Sequence, residues 1–246
     1  MIPDYYLIFI VLMVACAVLC AGASAKVKSA YQKYGAMQNS SRMTGYDTAV
    51  RLLRNNGVTD IQVGRVHGML TDHYHPTKKV VNLSESVYGD ASIASVAVAA
   101  HEIGHVMQKK KGYLFYRLRT VLVPITNIGS RLALPLVLVG LLLDVFVGLN
   151  QNSSAGFYVA LFGVALYGLS TLFTFVTLPV ELNASRRAKK MLLEAGILRE
   201  DEIPYADKML DAAAKTYLVS MITSLVYFLR FAIWVYLLFG GRSRRD

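Results

Sequence analysis

Four long apolar blocks constrain this chain more than any other feature. They run from Tyr5 to about Ala25, from Leu132 to Leu149, from Phe157 to Pro179 and from Tyr217 to Phe239. Each approaches the roughly 20 residues that an α-helix needs to cross the hydrocarbon core of a bilayer. Inside lipid every backbone N–H and C=O must find its partner within the segment, so such blocks are helices. The chain has 246 residues, 54% of them hydrophobic, above the usual globular share of roughly 45–50%. The composition therefore points to a polytopic membrane protein with the lipid bilayer as its first partner.

The charges agree with that reading. The net charge is +10, and the basic residues lie mostly outside the apolar blocks, as they do around membrane spans. A nucleic-acid face would pair a basic surface with groove-reading or stacking groups, and the chain has no such arrangement. Cys16 and Cys20 both fall in the first block, so neither a disulfide framework nor a thiolate zinc site can be built from them. The first block has Asp4 and no Lys or Arg before it, and Lys26, Lys28 and Lys33 after it. That pattern fits an uncleaved anchor better than a signal peptide, with the N-terminus outside and the next segment cytoplasmic. The loop at Gln151–Ser154 carries no Lys or Arg and belongs outside. A fourth span from Tyr217 would put Arg242, Arg244 and Arg245 outside, against the positive-inside bias. A helix lying along the interface is the alternative, so three to four spans are expected. Asp144 and Arg230 fall within apolar blocks, where ionisable residues are functional candidates by default.

The chemistry is concentrated in Ala99–Met107, which contains His101-Glu102-Ile103-Gly104-His105. On a helix, residues four apart share one face. Two imidazoles placed so both reach one Zn²⁺ at roughly 2.0–2.1 Å. Glu102 lies beside the metal without ligating it and is placed to take a proton from a zinc-activated water. The surrounding pattern predicts one helix from Asp90, as its cap, to Lys110, with Gly112 as a stop. A helix this apolar is buried, and two buried histidines beside a glutamate are costly without partners. The alternative is a chance match with hydrogen-bonded core histidines.

Catalytic zinc typically has three protein ligands and a water. Candidates for the third are His67, His73, His75, Asp72, Glu85, Glu181, Glu194 and Asp207. Glu181 is the best placed, because it emerges where the third span re-enters the cytoplasm, in a helical stretch that can pack on the zinc helix. Around the motif, Tyr46–Leu53 predicts a helix, Ile61–Val66 and Lys78–Ser84 predict short strands, and Gly68–Pro76 a polar turn. The strand before the zinc helix is expected to be an edge, open to pairing with an extended peptide or simply charged and solvated. Tyr113, Phe115 and Tyr116 with Arg117 and Arg119 suit a membrane interface. Candidate substrate or transition-state contacts are His73, Asn82, Tyr217 and Arg187.

These pieces, in order and with a span hairpin between them, resemble the neutral zinc metallopeptidases of the YugP type, integral membrane proteins of bacteria. The likeness covers the anchor, the Leu70–Tyr74 turn, the Val80–Tyr88 strand region, Ala99–Gln108 and Pro179–Ala188. More distantly the chain is similar to heat-shock-related membrane proteases of the gluzincin class. The resemblance implies one Zn²⁺, held by His101, His105 and Glu181, with Glu102 as catalytic base. In the distant group an Ala-Asp pair follows the glutamate ligand at three and four positions on, and the aspartate supports a ligand histidine. Here those positions hold Ala184 and Ser185, and Asn183, Ser185 or Asp72 is expected to substitute.

The expected fold is mainly α, with a zincin-like α+β cytoplasmic catalytic domain and three to four transmembrane helices. The expected segments are 1–25 (anchor), 26–131 (zinc-helix region), 132–179 (span hairpin), 180–216 (third ligand) and 217–246 (fourth apolar helix and basic tail). The expected function is hydrolysis of polypeptide or membrane-protein substrates. The rival is a non-catalytic membrane scaffold or adaptor with a structural metal. Oligomeric state is not legible in the sequence.

Overall fold

The computed structural model describes residues 4–148 and 155–240. The 151–154 loop and the 242–246 basic tail lie outside the described residues, as does the side chain of Asp144. Seven helices and three strands follow in order. They are α1 (Asp4–Gly35), α2 (Gly45–Asn55), β1 (Gln62–Val66), β2 (His73–His75), β3 (Val80–Ser84), α3 (Glu85–Tyr88), α4 (Ile93–Lys110), α5 (Leu114–Gly148), α6 (Ala155–Glu194) and α7 (Ile203–Gly240). Four of these helices, α1, α5, α6 and α7, contain stretches long and apolar enough to cross a membrane. The fold is a mainly α polytopic membrane fold with one small sheet. The fourth apolar block is helical, continuous with the polar helix that starts at Ile203.

The chain divides into two compact units. One comprises Met1–Leu19, Leu118–Thr177 and Leu218–Asp246. Its interior is closed by small residues. A Cβ on Gly163 would lie 2.7 Å from the Ala133 carbonyl oxygen, and one on Gly140 would collide with the Gly156 carbonyl. In lipid, where water does not drive helices together, such close backbone approach supplies the packing. Val137, Ala160, Val235 and Phe239 are buried together. Ser224 Oγ donates to Thr171 Oγ1 at 3.2 Å. Residues 118–131 belong to this unit, so α5 joins it earlier than the expected boundary at Leu132. Val121, Val123, Ile125 and Ile128 in this stretch are exposed apolar residues.

The other unit comprises Cys20–Arg117 and Leu178–Tyr217. It is built around α4, whose Ala94, Val96, Ala97, Ala99, Ala100, Ile103 and Val106 are fully buried. A helix apolar on nearly all sides is one that other elements surround. Its N-cap is Ser92, whose hydroxyl accepts the Ser95 N–H at 3.1 Å. Asp90, expected as the cap, instead accepts the Ser95 hydroxyl at 2.5 Å. α2 starts with a full capping box, Thr44 with Asp47. Gly57 takes φ +65° just after α2, in the left-handed region that lacks a penalty only for glycine.

The sheet order is β1-β3-β2, with β3 parallel to β1 and antiparallel to β2. β3 is therefore the central strand, which corrects its expected place at an edge. Both its ladders are filled because the polar turn at 68–76 contains a third strand, β2. That strand is only three residues long and too short to show a period in the sequence.

Candidate metal centre

α4 sets the geometry of the centre. His101 and His105 lie one turn apart, with ring centroids 4.8 Å apart and planes at 88°. α6 crosses beside them and supplies Glu181, which is 2% exposed. Glu181 Oε2 lies 3.2 Å from His101 Nε2 and 3.5 Å from His105 Nε2. Zinc–ligand bonds of 2.0–2.2 Å in a tetrahedron put neighbouring donor atoms roughly 3.3–3.6 Å apart. The observed separation to His105 falls within that range and the one to His101 just below it, and a two-imidazole, one-carboxylate donor set suits zinc chemically. Ligand-capable atoms of His101, Glu102 and His105 also lie within 4.8 Å of one another, so the Glu102 carboxylate sits against the same space.

The crossing is close because residue 104 is glycine. A Cβ there would stand 2.7 Å from the Ala184 carbonyl oxygen and 3.2 Å from its Cα. Ala184 lies between Glu181 and Ser185 on α6, and the approach carries both to the histidines.

Outer partners fix the rings. His101 Nδ1 and Ser185 Oγ are 3.1 Å apart, and His105 Nδ1 and Gln108 Oε1 are 3.0 Å apart. The Gln108 carbonyl only accepts, so the His105 Nδ1–H donates to it. The same tautomer at His101 donates to Ser185. This tautomer leaves the Nε2 lone pairs facing Glu181, the orientation a metal requires. Gln108 is fully buried. Its Nε2 donates to the Val180 carbonyl at 2.7 Å and to Asn183 Oδ1 at 3.0 Å. Arg187 Nε donates to the same Asn183 oxygen at 2.8 Å. Burial disfavours ionisation of Glu181, but when the two rings are protonated at Nε2 their hydrogen bonds and charge outweigh it and hold the carboxyl below its ordinary range.

The sequence did not single out Gln108. The available signal was a glutamine one turn past the second histidine, inside an otherwise apolar helix. Ser185, one of the three residues expected to support a ligand histidine, occupies the outer position on His101. Asn183 acts one step further out, through Gln108. Asp72 instead bonds Ser84, accepting its N–H at 2.7 Å and its hydroxyl at 2.9 Å. Burial raises the Asp72 pKa. His73 and Asn82 are cross-strand partners, with His73 Nε2 and Asn82 Nδ2 3.0 Å apart. The structure therefore ties these two expected substrate contacts to each other. Tyr217 is half-buried on α7. Tyr116, expected at a membrane interface, is buried with its ring 6.4 Å from that of His105.

The other third-ligand candidates have partners elsewhere. His67 and Glu85 lie 3.0 Å apart, and His75 Nδ1 accepts the Lys78 N–H. Asp207 pairs with Lys189, and Glu194 with Lys190.

A membrane fold holding a buried two-histidine, one-carboxylate cluster defines an integral membrane protein with a candidate zinc centre. Residues 8–236 match the family model described as "putative neutral zinc metallopeptidase", and the chain belongs to this family. It is 40% identical over 227 residues to a Bacillus subtilis protein named "putative membrane protease YugP", covering 92% of this chain and 96% of that one. No solved structure matches.

Proposed function

We propose that this protein is a membrane-embedded zinc endopeptidase in which His101, His105 and Glu181 hold a single ion and Glu102 is the general base. The observation that supports the ligand set is the convergence of both Nε2 atoms on Glu181 Oε2, at 3.2 and 3.5 Å. When bound, zinc supplies a water activated near neutral pH and polarises the scissile carbonyl. Glu102 takes the proton of the attacking water and delivers it to the leaving amine as the peptide C–N bond breaks. Ser185 and Gln108 hold the imidazoles in the required tautomer and orientation. Burial of Glu102 keeps bulk water from competing for its proton.

The active-site unit is placed on the cytoplasmic side of the bacterial membrane. Lys26, Lys28 and Lys33 at the end of α1 and Lys109–Lys111 at the C-terminal end of the zinc helix support this orientation.

The deciding experiment compares the wild type with Glu102→Gln, purified in detergent, on casein. The variant is expected to bind one zinc per chain and to lose at least 10²-fold in hydrolysis, the scale of a general base. Retained activity removes Glu102 from its role. Loss of zinc from the wild type on purification, with no metal-dependent cleavage, removes the function.

A further inference from the structure

Between Tyr217 and Phe239 the only charged side chain is Arg230. Along α7 it lies about 20 Å from Tyr217 and about 15 Å from Gly240, at 1.5 Å per residue. It is thus near the middle of the apolar stretch. A cation at that depth is retained where something compensates it. Among the described residues, Arg230 makes no hydrogen bond or ion pair. Asp144 does not stand at its level. Ala133 of α5 borders the same cavity as Arg230, and Asp144 is about 16 Å further along that helix.

That cavity lies within the apolar unit and has a volume of about 410 Å³. Ser130, Tyr167, Tyr227, Phe231 and Trp234 line it with Arg230. An aromatic cavity with one unpaired cation is complementary to an apolar ligand bearing one negative charge. Depth decides which. A phospholipid phosphate sits at the edge of the hydrocarbon core, about 15 Å from the midplane. The anion that reaches the midplane is a carboxylate carried on a membrane-spanning helix.

We propose that this cavity docks a membrane-spanning polypeptide with an Asp or Glu near the middle of its span. Its carboxylate pairs with Arg230, and neighbouring apolar side chains fill the aromatic cavity. That the docked polypeptide is also the substrate rests on the peptidase reading above; the docking does not.

The test uses the full-length protein in phosphatidylcholine nanodiscs with a fluorescent, lysine-flanked leucine–alanine helix carrying a central Glu or a central Gln. Energy transfer reads binding. The Glu helix is expected to bind at least tenfold more tightly than the Gln helix. Arg230→Gln removes the difference and leaves binding of the Gln helix unchanged, which controls for folding. Arg230→Glu is expected to prefer a helix with a central Lys. Equal binding of both helices to the wild type overturns the proposal, as does a preference that survives Arg230→Gln. Displacement of the Glu helix by phosphatidylglycerol, with Arg230-dependent lipid retention in native mass spectrometry, also overturns it in favour of a lipid site. Loss of a wild-type dimer in Arg230→Gln overturns it in favour of self-association. Docking without casein cleavage leaves the proposal standing and sinks the peptidase, whereas cleavage without charge-selective docking does the reverse.

Discussion

Replacing Gly104 by alanine adds one methyl group at the point where α4 and α6 touch. Its Cβ would lie 2.7 Å from the Ala184 carbonyl oxygen. An ordinary contact needs about 3.4 Å or more, so the helices must separate locally by roughly 0.7 Å. The obstacle is backbone, and no rotamer change relieves it. Ala184 moves with its neighbours Glu181 and Ser185. Adding roughly 0.7 Å to the separations of 3.2 Å between His101 and Glu181 and 3.1 Å between His101 and Ser185 takes both beyond hydrogen-bond range. Two stability effects oppose each other. Alanine gains about 1 kcal/mol of helix propensity over glycine, and overpacking costs about 1–3 kcal/mol. Overpacking wins or nearly cancels, so Tm falls slightly or stays level. The site is hit harder. Misplacing ligands by this distance is expected to cost on the order of 10–100-fold in catalysis, with weaker zinc binding. Competition with a chromogenic chelator reads the affinity, casein cleavage the activity, and thermal unfolding in detergent the stability. A Gly104→Ala protein with wild-type zinc affinity and a raised Tm would show that the close crossing does not place the ligands.

Three further substitutions probe separate parts of the molecule. Gln108→Leu strips the acceptor from His105 Nδ1 and the donor from the Val180 carbonyl, and zinc affinity is expected to fall about 10–100-fold; unchanged affinity in the chelator assay contradicts the positioning role. Glu202 is buried and accepts from Ser40 N–H, Ser40 hydroxyl and Arg199 N–H at 2.7, 2.7 and 2.9 Å. Glu202→Ala is expected to cost about 2–4 kcal/mol in denaturant unfolding without changing zinc binding. Burial raises the pKa of Asp72 in the folded state, so its contribution to stability is fully present below the unfolded value of about 3.9 and is lost as pH rises through the raised folded value. Asp72→Asn keeps an acceptor for the Ser84 N–H and removes that loss. Its Tm relative to wild type is expected to rise between pH 4 and 7, and a flat difference refutes the reasoning.

What the sequence could reveal followed from periodicity and spacing. The apolar blocks marked the helices because lipid leaves the backbone no alternative. His101 and His105 were legible because one helical turn fixes their relation. Glu181 was legible through its place just after the hairpin. Gln108 and Ser185 were not assignable, because their roles depend on contacts between helices far apart in sequence: Ser185 meets His101 across 84 residues. A glutamine or serine in a helix has many available partners, and only the crossing selects one. Gly104 was hidden for the same reason, since its meaning lies in the helix that passes over it. β2 was missed because three residues, two of them histidine, present no alternation. The expected edge position of β3 followed from that omission.

The outer partners of the two imidazoles, a serine and a glutamine, carry no charge. The two carboxylates at the centre, Glu102 and Glu181, together match the charge of one divalent cation. With both carboxylates ionised, a divalent ion would leave the cluster electroneutral, a trivalent one an excess positive charge and a monovalent one an excess negative charge. Buried in a low-dielectric setting, either imbalance is expensive. The charge count would therefore discriminate by valence before geometry is consulted.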